Sequence, residues 1–201
     1  MRDPLRRGLT LIELMVTVSL LVLLASALEP SISTWLANTQ IRSVASSLQA
    51  GLQRARSEAV RRNERVRFTL VSLDNSAVMD DSCAPVASGV SWVVSLDDPT
   101  GLCGADSSDT ASPRIVEKRA GGVGRKTVAV SSSNAAGGAS SGVAVFNGFG
   151  RLVGTDGIAV VEIDNITAGS DYRALRIVVG AGGTTSLCEP KVTDTSDPRH
   201  C

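Results

Sequence analysis

The segment Gly8-Leu9-Thr10-Leu11-Ile12-Glu13-Leu14 opens a run, LTLIELMVTVSLLVLLASAL from Leu9 to Leu28, that sets the architecture expected of everything after it. The run holds one charge, Glu13. As a helix it spans about 30 Å, the hydrocarbon thickness of a bilayer. Before it, Met1 to Gly8 reads MRDPLRRG, and Arg6 and Arg7 would hold that leader on the cytoplasmic side. An ordinary secretory signal is cut after its apolar run, and Ala25-Ser26-Ala27 offers such a small-x-small site. Two features favour a different processing: Gly8 lies before the run, and Glu13 lies inside it.

A lone carboxylate within a membrane helix costs roughly 2.5 to 3.5 kcal/mol and needs a partner. The helix supplies none. If the chain is cut after Gly8, the new amine on Leu9 is a positive charge one turn away. The same amine on a neighbouring subunit would neutralise Glu13 in a helix bundle.

These residues carry a resemblance. Gly8 to Leu14 resembles the prepilin peptidase site of type IV pilins and type II secretion pseudopilins: a short basic leader, Gly, a usually aromatic residue, then T-L-I-E and an apolar helix. Leu9 stands where Phe is usual. The resemblance implies cleavage between Gly8 and Leu9, methylation of the Leu9 amine, and a role for Glu13 in assembly. Pro30 stands where pilin helices often carry a proline.

After Pro30 a stripe of Ala37, Ile41, Val44, Ala45, Leu48, Leu52, Ala55 and Ala59 continues at helical spacing. A helix from Leu9 to about Arg62 would be about 80 Å long, with a kink expected at Pro30. Arg54, Arg56, Arg61, Arg62, Arg65 and Arg67 at its end read as a solvated face, which a helix C-terminus favours.

Beyond Asn63 the pattern turns to short β-rich runs. Candidate strands are 66–71, 89–96, 114–117, 127–130, 143–146, 158–163 and 174–179, parted by Gly, Ser, Asp and Pro clusters. The expected fold is α+β: a long N-terminal helix, half transmembrane and half amphipathic, packed on a β-rich head as a sandwich or curled antiparallel sheets. The expected organisation is a leader over 1–8, a transmembrane or filament-core helix over 9–29, an amphipathic helix over 30–62 and a globular head over 63–201.

Cys83, Cys103, Cys188 and Cys201 lack CxxC spacing, and His200 alone could add an imidazole, so zinc is not expected. Two disulfides fit an exported chain, and of three connectivities the sequence-local one, 83–103 with 188–201, is favoured. Each loop would contribute on the order of 3 kcal/mol.

Downstream, Ala55-Arg56-Ser57-Glu58-Ala59-Val60-Arg61-Arg62-Asn63 resembles the helix end of the GspH/FimT group of minor pilins and pseudopilins. Phe146-Asn147-Gly148-Phe149-Gly150-Arg151 looks like that group's F-x-x-x-G turn, with Asn147-Gly148 a natural site for positive φ. Leu175 to Val179 followed by Cys188-Glu189-Pro190 resembles its last strand and closing cysteine region. The resemblance implies a FimU/FimT-like minor pilin that helps initiate pilus assembly, with a GspH-type pseudopilin of type II secretion or a FimT-like DNA-uptake pilin as the alternatives. Implied partners are other minor pilins, the major pilin, prepilin peptidase and the inner membrane, with the head in the periplasm and later in a pilus or pseudopilus.

Chemistry finds little footing. His200 is penultimate, and Gly121 to Thr127 departs from the GxxxxGK[ST] spacing and precedes a strand. Asp80-Asp81 and Asp97-Asp98 match no EF-hand loop. No enzyme activity, cofactor or metal is expected. Lys+Arg and Asp+Glu are both 20; without Arg2, Arg6, Arg7 and Asp3 the counts become 17 and 19. Some FimT-type pilins capture DNA through a Gly-Arg-x-Arg motif before the last cysteine region. Gly183-Thr184-Thr185-Ser186 occupies that place here without either arginine, so DNA is not the expected ligand.

Overall fold

A computed structural model describes residues 10–122, 127–167, 169 and 171–201, with residues 25–31 described in backbone only. The expected cleavage junction, Gly8–Leu9, and most of the Gly121–Thr127 loop lie outside the described residues. The chain divides into two compact units, residues 1–36 and 37–201, and helix α1, Leu11–Arg62, contributes to both. Its assignment runs unbroken through Pro30.

Both ends of α1 are built by their sequence. The Glu13 N–H donates to Thr10 Oγ1 at 3.3 Å, and the Leu14 N–H donates to the Thr10 carbonyl at 3.1 Å. Thr-x-x-Glu is thus a capping-box sequence at a helix start. At the other end Asn63 takes φ +53°, Asn63 N–H donates to Val60 O, and Glu64 N–H donates to Ala59 O. That is a Schellman closure, with Asn in the left-handed position usually given to Gly.

The head holds strands β1 (Val66–Ser72), β2 (Ala84–Pro85), β3 (Ser91–Ser95), β4 (Ile115–Arg119), β5 (Val128–Ser133), β6 (Val143–Phe146), β7 (Leu152–Val153), β8 (Val160–Asn165), β9 (Leu175–Val179) and β10 (Thr185–Cys188). One sheet runs β4-β3-β1-β6-β7 with β2 appended to β1; the other runs β10-β9-β8-β5. Every pairing is antiparallel. The α+β class stands: a long helix whose second half packs on a head of antiparallel sheets.

The helical stripe is the spine of the core. Ile41, Val44, Ala45, Leu48, Leu52, Ala55 and Ala59 are all fully buried. They meet Phe68, Trp92 and Phe146 of the first sheet and Val161, Ile163 and Ile177 of the second. Trp92 donates its indole N–H to Ser47 Oγ at 3.0 Å, so the largest buried ring also satisfies its one polar atom. Gly51 makes this approach possible, since a Cβ there would lie 2.7 Å from the Phe68 ring.

The first sheet is covered on its other face as well. Val71, Val93, Ile115, Cys83 and Cys103 form a second cluster beneath the long loop between β3 and β4 and the loop entering β2. Cys83 is bridged to Cys103, and Lys118 Nζ donates to the carbonyls of Cys103, Gly104 and Ala105 at 3.1, 2.8 and 2.7 Å. Strand β3 is therefore buried along its whole length, not on alternate residues. Cys188 is bridged to Cys201, folding the C-terminal segment back onto the end of β10.

Three short strands, β2, β7 and β10, fall outside the strands expected from the sequence. Their residues carry no alternation of their own and gain strand geometry by pairing with β1, β6 and β9. Among the described residues no helix is long and apolar enough to cross a membrane. The described side chains from Leu11 to Leu24 cover only about 21 Å of helix and include the polar Glu13, Thr17 and Ser19.

Candidate assembly surfaces

In the first unit the side chains from Leu11 to Leu24 are exposed, Leu11 and Ile12 most of all. The two polar hydroxyls turn inward: Thr17 Oγ1 donates to Leu14 O at 2.9 Å and Ser19 Oγ to Met15 O at 2.8 Å. What remains facing outward is apolar surface plus the exposed Glu13. After Arg7 the sequence has no basic residue until Arg42, so this stretch offers Glu13 no cation of its own.

In the head, the end of α1 is organised around Glu58, only 3% exposed. Arg61 Nη2 lies 2.6 Å and Arg62 Nε 2.9 Å from Glu58 Oε2, while Arg54 Nη2 lies 3.3 Å from Oε1. Arg62 continues to Asp109, Arg54 to Glu117, and Arg67 to Asp98. The arginines expected to form a solvated face are thus largely spent on ion pairs, with Arg62 itself mostly buried. The signal available in the sequence was the spacing: Glu58 stands four residues after Arg54 and three and four before Arg61 and Arg62.

Hydrogen bonds from Arg61, then from Arg62, hold the Glu58 carboxyl below the usual range against the opposing push of burial. A carboxylate with a lowered folded-state pKa adds stability above its unfolded pKa, and that share is lost as pH falls through the folded value. In pH-dependent thermal melts, Glu58→Gln should lower the melting temperature at pH 7. The gap to wild type should close progressively below about pH 4.

Next to this cluster lies the Phe146–Arg151 turn. Asn147 Oδ1 accepts from the N–H groups of Phe149 and Arg151, both at 3.0 Å, and Gly150 N–H donates to Asn147 O at 2.8 Å. The positive φ expected at Gly148 falls instead on Gly150, at +71°. Gly148 is needed for space, because its Cβ would lie 2.4 Å from Asn63 Oδ1. Arg56 Nε donates to Gly150 O at 3.1 Å, tying the turn to the helix.

The β9–β10 hairpin completes this face. Gly183 packs so closely that a Cβ would lie 1.8 Å from Gly150 O. Gly183, Thr184 and Thr185 line a groove of about 550 Å³ with Gln53, Arg56, Val60 and Arg61. The Gly183–Thr185 tip of the hairpin carries no arginine, yet α1 presents two to the same groove; sequence spacing alone gave no sign of that convergence.

The remaining candidates resolve into local structure. Asp80 accepts from Ser82 N–H and Oγ, Asp81 accepts from Gly104 N–H, Asp97 pairs with Arg114, and Asp98 accepts from Thr100. Among the described residues no group of three potential metal ligands occurs. His200 is exposed and its N–H donates to Asp197 O.

Comparison with known proteins places these features. Residues 4–28 match the prokaryotic N-terminal methylation motif, and residues 44–183 match the family described as type II transport protein GspH. The chain has no match among curated proteins. It is similar to two crystal structures of the type IV minor pilin FimU from Pseudomonas aeruginosa strain PAO1. One is 17% identical with a TM-score of 0.41, covering 76% of this chain and 99% of that one. The other is 16% identical with a TM-score of 0.42, covering 78% and 96%. With the GspH match extending over most of the chain and the methylation motif ahead of it, this protein belongs to the GspH family.

Proposed function

We propose that the chain is a minor pilin of a type IV pilus that takes part in priming filament assembly. The observation that carries this reading is Glu13, an exposed carboxylate in an apolar helix with no basic residue between it and Arg42. A filament of packed helices supplies apolar neighbours and the N-terminal amine of an adjacent subunit. Before assembly the chain sits in the inner membrane as a single-pass protein, its head in the periplasm, where both disulfides form. Prepilin peptidase cuts between Gly8 and Leu9 and methylates Leu9. Other minor pilins and the major pilin are the partners. No catalysis enters this role.

Intact-mass analysis of the membrane-extracted chain tests the processing step. The expected mature species lacks MRDPLRRG and carries one methyl group on Leu9. A chain that keeps the leader, or one that begins after Ala27, overturns the reading.

The family description favours one second reading, a pseudopilin of type II secretion. Deleting the gene separates the two: loss of pilus-dependent motility supports the pilin, whereas loss of exoprotein secretion supports the pseudopilin.

A further inference from the structure

We propose that the Phe149 turn and its two flanking grooves form a docking site for the head of a different pilin subunit, one that presents an apolar side chain bordered by carboxylates. The proposal deepens the minor-pilin reading and rests on it.

Aromatics make up only 3% of this chain, and one of its three phenylalanines is 83% exposed at Phe149. Its position is not loose. Asn147 holds the turn by four hydrogen bonds, Arg56 pins Gly150 to the helix, and Gly148 and Gly183 are each wedged against neighbouring atoms. An aromatic carried on a fixed backbone turn has only its side-chain rotation to lose on binding and is the kind of residue that anchors interfaces. Val60, 52% exposed, extends the apolar surface along the helix side of the turn.

The ring lines a concave surface of about 640 Å³ with Leu152 and Val153, and the groove with Val60 and Gly183 lies beside Gly150 of the same turn. Their linings include Arg56, Arg61 and Arg151 and no carboxylate. That asymmetry selects the occupant. Two copies meeting through the same patch would set arginine against arginine, so an isologous self-contact is disfavoured. Arg56 gives an N–H to Gly150 O and Arg61 pairs with Glu58, so Arg151 is the guanidinium placed to meet a partner's carboxylate, and one such charge is a thin footing for a phosphate backbone. An apolar anchor with a cationic rim suits a protein surface of opposite charge.

The test places the photo-crosslinking residue p-benzoylphenylalanine at position 149 of the full chain, in cells that make the whole pilus system. Parallel probes stand at Leu20, in the apolar helix, and at Val78, in a head loop. Expected is an adduct from position 149 to another subunit bearing an N-terminal methylation motif. Arg151→Glu should cut its yield about fivefold or more while the near-ultraviolet signal of the purified chain is unchanged. Adducts from Leu20 but none from 149 overturn the docking site and leave the assembly reading standing. Adducts from 149 to nucleic acid, or only to a second copy of this chain, also overturn it. Absence of adducts at both positions overturns the docking site and the assembly reading together.

Discussion

Glu13→Ala is expected to leave the head folded and the chain in the membrane, yet to lower its content in sheared filaments by about tenfold or more. The two halves of that result come from one side chain acting in two surroundings. In the bilayer a lone carboxylate costs roughly 2.5 to 3.5 kcal/mol, so its removal makes insertion easier. In a filament, a carboxylate and an amine about 4 Å apart attract by about 4 kcal/mol at an effective dielectric constant of 20. Losing even 1.4 kcal/mol of that pairing is a tenfold change in an equilibrium. Glu13→Gln should behave like alanine, because it keeps the shape and loses the charge. Quantitative immunoblotting of membrane and filament fractions reads both arms, and an unchanged filament content would sink the electrostatic account of assembly.

The second large effect is structural. Gly183 has φ +78°, a conformation that costs a residue with a side chain about 1 kcal/mol or more, and a Cβ there would lie 1.8 Å from the Gly150 carbonyl oxygen. No rotamer can relieve a collision between a Cβ and the backbone. Gly183→Ala must therefore part the hairpin from the Phe146–Arg151 turn, at a cost of about 3 kcal/mol or more. For a head of this size that predicts a fall in melting temperature of roughly 6 to 12 °C. Gly182→Ala is the matched control: a Cβ at Gly182 meets nothing within 4 Å, and little change is expected. Differential scanning fluorimetry of the detergent-solubilised full chain would compare the three proteins, and equal melting temperatures would refute the packing argument.

The helix and its buried stripe were legible because period and composition agree: every third or fourth residue from Ile41 to Ala59 is apolar, and each is buried. Strand β6 was legible to the residue, since Val143–Phe146 is a short apolar run between Gly142 and the Asn147-Gly148 turn. The sheet partition was not. Nothing local says that β1 pairs with β6 while β8 pairs with β5, because those pairings are decided by which faces can share one helix. β3 carries the same lesson in one strand. Its burial on both faces depends on a loop fixed by Cys83–Cys103 and Lys118, elements more than a strand's length away in sequence. The Glu58 cluster was hidden for another reason: the spacing of Arg54, Arg61 and Arg62 about Glu58 was legible, but the burial of Glu58 beneath them was not.

The two cysteine bridges each close a sequence-local loop, one over the outer face of the first sheet and one at the C-terminus. Neither crosses from helix to sheet. Reductant should accordingly unfasten coverings while the Trp92-centred interior persists, and protease nicks in oxidant-starved cells should map to those two flaps. Export chemistry thereby guards the periphery of this subunit; its centre is left to oil and shape.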